Sequence, residues 1–333
     1  MYRHNTSKFK RFFLSLFILT LSLSLNAATQ GGTFGGTKLA PLNKYSTDML
    51  KVSSKLLSLV EIVRVEESLG VAELLIKKKL KAKGFTLVKM IEPKHSGGRA
   101  YIATDFYNNI VIVFRGSTSD TDLGSASNWA TDANANHKRI KWVDKKKWGK
   151  IHAHGGFLKE YNRFQPEIYK VLKNNKYKKR NVYLAGHSLG GALATLCALD
   201  LNLNLKKNVS ICTFGNPRVG WSPKRGWKKF SDLYDNIVTH AFRIAINRDP
   251  VPMVPFRSNY DHVGLLLQLY PNGVMVPKEK IHPKWKERIK PRHSLLESYK
   301  PTLKKHLNRC KKSNSKCYKK GVLKFAREAE RKF

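Results

Sequence analysis

Asn181-Val-Tyr-Leu-Ala-Gly-His-Ser-Leu-Gly-Gly-Ala-Leu-Ala-Thr-Leu-Cys-Ala-Leu199 is the stretch that decides the fold of this 333-residue chain. Its first residues, through Ala185, are apolar and β-prone, and those after Gly191 are strong helix formers. Between the two runs lies Gly186-His187-Ser188-Leu189-Gly190. A serine on a tight strand-to-helix turn sits in a strained backbone, and side chains two positions to either side would strike neighbouring main chain. Glycine at both places meets that demand. The helix expected from Leu189 would aim its N-terminal amides at charge developing beside the serine. The pentapeptide alone arises by chance; the strand before it and the helix after it make it specific. Ser188 is therefore read as a nucleophile, against the alternative of an ordinary glycine-rich turn.

Outward from this turn the chain alternates between two textures. Residues 85–90, 101–106, 110–114, 182–185, 211–214 and 238–246 are short β-rich runs, separated by helical or turn-rich stretches. The run Ile-Val-Ile-Val-Phe at 110–114 is continuously apolar, as a strand buried on both faces of a parallel sheet should be. Residues 46–80 carry Leu56, Leu57, Val60 and Val63 at helical spacing, with Ser46 or Thr47 available as a cap. Strands alternating with helices predict an α/β fold with a mostly parallel central sheet flanked by helices.

The first 28 residues read differently. Arg3, Lys8, Lys10 and Arg11 precede a 14-residue stretch, 12–25, of apolar residues, Ser and Thr, and Asn26-Ala27-Ala28 follows. This is the pattern of a cleavable export signal, cut after Ala27 or Ala28. An uncleaved anchor is the alternative, although the run is shorter than the roughly 20 residues that span a bilayer. The expected organisation is a leader over 1–28, a Gly/Thr-rich linker over 29–45, a catalytic domain over 46–302 and a basic extension over 303–333.

The formal charge is +40, and removing the four basic residues of the leader leaves +36. From 276 to 333 there are 20 Lys or Arg against five Glu. A field of this sign favours acidic phospholipid, lipopolysaccharide or nucleic acid; a lysine-rich background composition is the bland alternative. Cys310 and Cys317, with six residues between them in a polar tail, suit a local disulfide in an exported protein. Cys197 and Cys212 lie in apolar runs and read as core. Neither pair has zinc-site spacing.

Six blocks in order, Ile112-Val-Phe-Arg-Gly-Ser-Thr118, Asn128-Trp129, His154-Gly-Gly-Phe157, Gly186-His-Ser-Leu-Gly-Gly191, Thr213-Phe-Gly-Asn-Pro-Arg-Val-Gly220 and Arg243-Ile-Ala-Ile-Asn-Arg-Asp-Pro-Val-Pro252, resemble the class 3 lipase family. The resemblance extends over about residues 46–301 and implies an α/β-hydrolase fold of the fungal-type triacylglycerol-lipase-like group.

A serine hydroxyl needs a base to take its proton, and the base needs a third group to hold its tautomer. In α/β-hydrolases the order is serine, acid, histidine. Asp249 follows the buried run 240–246, so it is expected at the C-terminal end of a parallel strand, and it matches the family's acid position. Asp232 and Asp235 are rivals, read as lying in a loop. Four histidines follow Asp249: His262, His282, His293 and His306. His262 resembles a structural block of the family that precedes a strand. His293, in Arg292-His-Ser-Leu-Leu-Glu-Ser-Tyr299, resembles the family's terminal histidine block, which opens a helix. His187 reads as a packing residue. The backbone amide of Leu189 is the expected oxyanion donor. The resemblance implies a second one at Ser117, through its amide or hydroxyl, with Arg115 and Gly116 supporting that loop. The chemistry requires no metal or organic cofactor.

By the same resemblance, the segment after Arg115-Gly-Ser covers the site as a lid. Residues 117–136 are polar, with Leu123 and Trp129 their only large apolar residues, which argues against strong interfacial activation. Lys138, Arg139, Lys141, Trp142, Lys145 to Lys147, Trp148 and Lys150 follow, and Trp227 and Trp285 have similar neighbours. Tryptophan with lysine suits the headgroup region of an anionic membrane. It also suits nucleic acid by stacking and phosphate pairing, but nothing else here resembles a nucleic-acid-binding fold. The resulting expectation is a serine esterase, secreted or periplasmic, hydrolysing lipid acyl esters as a lipase or phospholipase. The competing class is a non-enzymatic cationic protein that binds lipid or nucleic acid on a hydrolase fold.

Overall fold

Ile110–Phe114 is buried at every position, and the reason is its place in the middle of an eight-stranded sheet. The computed structural model of the chain describes residues 33–34, 37–38, 47–94, 96–116, 136–223, 228–246, 249–255, 259–269, 275–276 and 293–312. The strands are β1 (Phe85–Ile91), β2 (Ala100–Asp105), β3 (Ile110–Phe114), β4 (Val182–His187), β5 (Val209–Phe214), β6 (His240–Ile246), β7 (Leu265–Leu269) and β8 (Met275–Val276). They lie side by side in chain order. Pairing from β3 through β7 is parallel, whereas β1, β2 and β8 add antiparallel edges. The expected mostly parallel sheet is thus present, and the six runs read from the sequence form β1 to β6.

The longer helices are α1 (Thr47–Ile62), α2 (Leu69–Lys81), α3 (Gly155–Leu172), α4 (Leu189–Leu205), α5 (Phe230–Ile237) and α6 (Lys300–Lys312), and a single turn, Lys145–Trp148, precedes α3. Side chains along β3 alternate between two cores. Ile110, Ile112 and Phe114 join Phe157, Tyr161 and Phe164 of α3 and the body of α4 on one face. Val111 and Val113 join Leu56, Leu59 and Val60 of α1, Ile76 of α2 and Leu303 of α6 on the other. A strand apolar on both sides is the local signature of this two-layered covering. In α4 every residue from Gly190 to Leu201 is buried, so its sequence has no polar stripe.

One charged group lies inside that helix. Asp200 is fully buried and accepts hydrogen bonds from Tyr161 (2.5 Å), Gln165 (2.6 Å), Tyr169 (2.7 Å) and Asn204 (2.6 Å). A carboxylate this far from water persists only when its lone pairs are satisfied. The bonds tie α3 to α4, the helix that carries Ser188 at its head.

The helical texture read over 46–80 is carried by two helices, separated by residues 63–68. Other elements differ from the sequence expectation. Asp232 and Asp235 stand in α5, not in a loop. Strands β7 and β8 carried no signal of their own, nor did a second sheet formed by His137–Arg139, His152–His154, Gly220–Trp221 and Tyr260–Asp261; segments of two to five residues are too short to show a period. Thr33–Phe34 pairs with Thr37–Lys38 as a small ribbon within the stretch read as linker. Helix α6 runs through position 302 without a break, and Leu303 and His306 are buried. Cys197 and Cys212 are buried free thiols. Among the described residues no helix is long and apolar enough to cross a membrane. The expected leader and the Cys310–Cys317 pairing fall outside what is described.

Candidate active site

Ser188 ends β4 and begins α4 with φ 56° and ψ −128°, a conformation that non-glycine residues rarely adopt and that costs about 1–3 kcal/mol. Close packing enforces it. A Cβ on Gly186 would stand 2.2 Å from the carbonyl oxygen of Gly190, and one on Gly190 would stand 2.3 Å from that of Phe114. The register of β3 against β4, with Phe114 opposite Gly186, brings these backbones together. The amide of Ser188 donates to the carbonyl of Phe214 at the end of β5 (3.0 Å), so three neighbouring strands hold the turn. Gly116 runs across it: a Cβ there would meet the carbonyl of His187 at 2.7 Å and the Cβ of Ser188 at 3.3 Å.

Asp249 comes three residues after the end of β6 and is fully buried. Its Oδ1 accepts from the amide of Val251 (2.9 Å), and its Oδ2 from the hydroxyl of Tyr299. Both oxygens lie 3.0 Å from Nδ1 of His293. The Tyr299 hydroxyl also accepts from the amide of Ile246 at 3.2 Å. Burial, and then the adjacent carboxylate, push the Tyr299 phenol well above its ordinary pKa, so it remains a protonated donor.

His293 precedes a single π-helical turn, Leu295–Tyr299. Ser294 caps that turn by accepting from the amide of Glu297 (3.1 Å). The histidine and Tyr299 are therefore fixed by one short element and meet one carboxylate. Nε2 of His293 is buried and has no hydrogen-bond partner among the described residues. The imidazole of His187 stacks on that of His293 with centroids 4.5 Å apart, and its Nε2 lies 2.7 Å from the His293 carbonyl. Because a carbonyl only accepts, His187 donates through Nε2. Burial, reinforced by the neighbouring His293, pushes the pKa of His187 well below the usual histidine value and keeps the ring neutral.

Asp249 and His293 are thus joined by hydrogen bonds, Ser188 follows directly on β4, and Asp249 comes just past β6. The residue before the serine stacks on the histidine, and a Cβ on Gly215, just past β5, would lie 2.7 Å from Oδ2 of Asp249. Leu189 opens α4 and has the amide of a first helical turn, which lacks an intrahelical partner. Ser117, the other expected oxyanion donor, lies outside the described residues, as do His282 and residues 117–135 of the lid expected over 117–136. The alternatives are engaged elsewhere. His262 binds the carbonyl of Pro252 through Nε2 (2.5 Å), and Asp235 accepts from the amide of Gly264 (2.9 Å). His306 is buried in α6. Reasoning from the sequence missed what His187 and Tyr299 do; the only local signal was a tyrosine six positions after a histidine. Among the described residues no group of three His, Cys, Asp or Glu is placed to hold a metal ion.

Residues 111–259 match the family described as Lipase (class 3). A lipase of Caenorhabditis elegans is 30% identical over 157 residues, which cover 46% of this chain and 40% of that protein. The secreted mono- and diacylglycerol lipase A of Penicillium cyclopium is 34% identical over 168 residues, 49% of each chain. The chain spans about half the length of the curated relatives it matches. Among solved structures, the nonglycosylated LIP2 lipase of Yarrowia lipolytica superposes with a TM-score of 0.59 at 18% identity, covering 76% of this chain and 93% of that one. At that identity the likeness speaks for the fold, an α/β-hydrolase sheet flanked by helices.

Proposed function

Through residues 111–259 this chain belongs to the class 3 lipase family, and on that premise we propose that it is a serine esterase hydrolysing the acyl esters of lipids. The observation that carries the reading is His293: one ring nitrogen is held by a buried carboxylate, the other has no partner among the described residues, and the ring stacks on the neighbour of a strained serine. In this reading Ser188 Oγ attacks the ester carbonyl while its proton passes to Nε2 of His293. Asp249 holds the Nδ1 proton and stabilises the imidazolium that forms. The oxyanion is met by the amide of Leu189 and by Ser117. Collapse breaks the bond to the alcohol, which leaves with the proton from His293, and an acyl-enzyme remains. Water, deprotonated by the same histidine, then releases the fatty acid and restores Ser188.

The relatives named as mono- and diacylglycerol lipases favour a glycerolipid ester as substrate, with phospholipid the alternative within the same chemistry. Export through the leader over 1–28 belongs to the same proposal and agrees with the secreted relatives. An anionic bilayer is the proposed working surface, reached through the lysines of the 138–150 segment. There Lys145, Lys146, Lys147 and Lys150 are exposed, while the rings of Trp142 and Trp148 are half-buried against the core.

Hydrolysis of a short-chain p-nitrophenyl ester tests the proposal. Ser188→Ala is expected to lower kcat by about 10³-fold or more. An unchanged rate would sink it, and liposome binding that survives in a protein without esterase activity would favour the cationic binding protein instead. A lipid panel with acyl position and headgroup resolved separates lipase from phospholipase.

A further inference from the structure

Beyond the end of β3, a cavity of about 310 Å³ opens beside Arg115. Its charged walls are Glu66, Glu92, Arg99 and Arg115, and residues 96–98 close one side. Glu92 and Arg99 are engaged with each other in an ion pair, and Arg99 also donates to the carbonyls of Val65 and Glu67. Arg115 and Glu66 are not so engaged. The half-buried Arg115 guanidinium makes one hydrogen bond among the described residues, from Nη2 to the carbonyl of Gly97 (2.7 Å). Its Nε is buried and has no partner among them. Glu66 is exposed, and its carboxylate has neither a hydrogen bond nor an ion pair among the described residues. A cation and an anion thus line one cavity without closing on each other.

Such a balance selects against a simple ion. An anion on Arg115 meets Glu66, and a cation on Glu66 meets Arg115. A ligand that carries both signs, spaced across the cavity, satisfies the two together. The guanidinium fork matches the oxygens of a carboxylate or a phosphate. No aromatic ring among the described residues lines the cavity, so a quaternary ammonium would lack the surface that recognises it; a primary ammonium, with N–H groups to donate to a carboxylate, fits.

Position decides where such a ligand comes from. Arg115 is followed by Gly116, on which a Cβ would stand 3.3 Å from the Cβ of Ser188. The amide of Arg115 donates to the carbonyl of Arg99 (2.8 Å), and Arg99 in turn donates to the carbonyl of Glu67 (2.9 Å). This chain of bonds holds the start of α2 at the same rim as the nucleophile turn. There Leu69, Val71 and Leu74 are exposed, Leu74 by 69%. Apolar side chains bared together on a helix suit contact with hydrocarbon. A polar cavity between a serine read as cleaving esters and an apolar rim fits the head of a lipid better than a free amino acid.

We propose that the cavity beside Arg115 binds the phosphoethanolamine head of a glycerophospholipid, with the phosphate on Arg115 and the ammonium on Glu66. As a substrate site it rests on the esterase reading, and within that reading it selects phospholipid. A short glycerol spacer joins this head to the acyl ester that Ser188 attacks. Arg115 and Glu66 hold the head and touch no reacting atom.

Calorimetric titration of the full protein with glycerophosphoethanolamine, which has no acyl ester to cleave, tests the site apart from catalysis. One saturable site is expected, with glycerophosphoglycerol, which lacks the ammonium, at least about tenfold weaker. Because Glu66 is exposed, Glu66→Gln should keep the wild-type melting temperature. It should weaken the ethanolamine ligand by about tenfold and leave the glycerol ligand bound no more weakly than before. In mixed micelles the same variant should lower, by about tenfold, the ratio of kcat/KM for phosphatidylethanolamine over diacylglycerol of the same chains. Equal affinity for the two soluble ligands, or an equal effect of Glu66→Gln on both, would overturn the proposal. So would an unchanged ratio in a protein that cleaves both lipids. Binding that depends on Glu66 in a protein that hydrolyses neither lipid would remove the esterase reading and leave the headgroup site standing.

Discussion

Asp249 shows most directly how single residues shape this site. A carboxylate wholly out of water is tolerated because the Val251 amide, the Tyr299 hydroxyl and the His293 ring all donate to it. Asp249→Asn preserves the shape but cannot stabilise an imidazolium and favours the wrong tautomer. It is expected to reduce kcat by about 10⁴-fold with the far-ultraviolet spectrum unchanged. His262 gives the contrasting case. Its Nε2 is committed to the Pro252 carbonyl, so His262→Ala should lower the melting temperature while the folded fraction keeps its kcat; activity lost at 262 and kept in His293→Ala would reverse the assignment of the base. His187 is a positioning residue that acts through His293. His187→Phe keeps a ring for stacking but removes the bond to the His293 carbonyl. A fall in kcat of about fivefold, with KM unchanged, is expected from steady-state kinetics, since one hydrogen bond contributes about 1 kcal/mol. Equal changes in kcat and folding stability would mean a merely structural role.

Among the elements, the turn from β4 into α4 and the clamp between α3 and α4 are the two on which the site depends. Gly190 has no room for a methyl group, because the obstacle is the Phe114 carbonyl and main chain cannot swing aside. Gly190→Ala should cost about 3 kcal/mol or more, measured by urea unfolding, and abolish esterase activity. The clamp is of another kind. Asp200→Ala would strand Tyr161 and other donors in the core, and a loss of about 3–5 kcal/mol is expected, with the residual native protein still active. Of these two elements only the first was legible in the sequence. The steric rule behind Gly-x-Ser-x-Gly operates within five consecutive residues and leaves its mark there. Asp200 sits in an apolar helix with nothing nearby to announce partners 31 to 39 positions away on α3.

For the molecule as a whole, the histidines set the response to acid. Burial is the leading cause that holds His187 and His262 well below the ordinary histidine pKa, and it also lowers His137, His152 and His240. In the unfolded chain these rings take up protons near pH 6.5, before the folded chain does. Between 6.5 and the depressed native values the unfolded state therefore binds more protons, and stability falls as pH falls. The melting temperature should drop steadily from pH 7 to pH 5, and a flat profile over that interval would contradict the buried, neutral assignment. The α/β class, the strands from β1 to β6, Ser188 and the candidate acid at Asp249 were all readable from the chain, because apolar runs and tight turns are contiguous and their physical demands are local. The sequence by itself also suggested His293, but left three other histidines after Asp249 in contention. Only the tertiary structure placed His293 on a carboxylate 44 residues away, beneath a ring 106 residues away, and set Tyr299 on the same oxygen. Such pairings follow from how β4, β5 and β6 end side by side and from where the π-turn docks. Packing between distant segments decides them, and no short pattern records it.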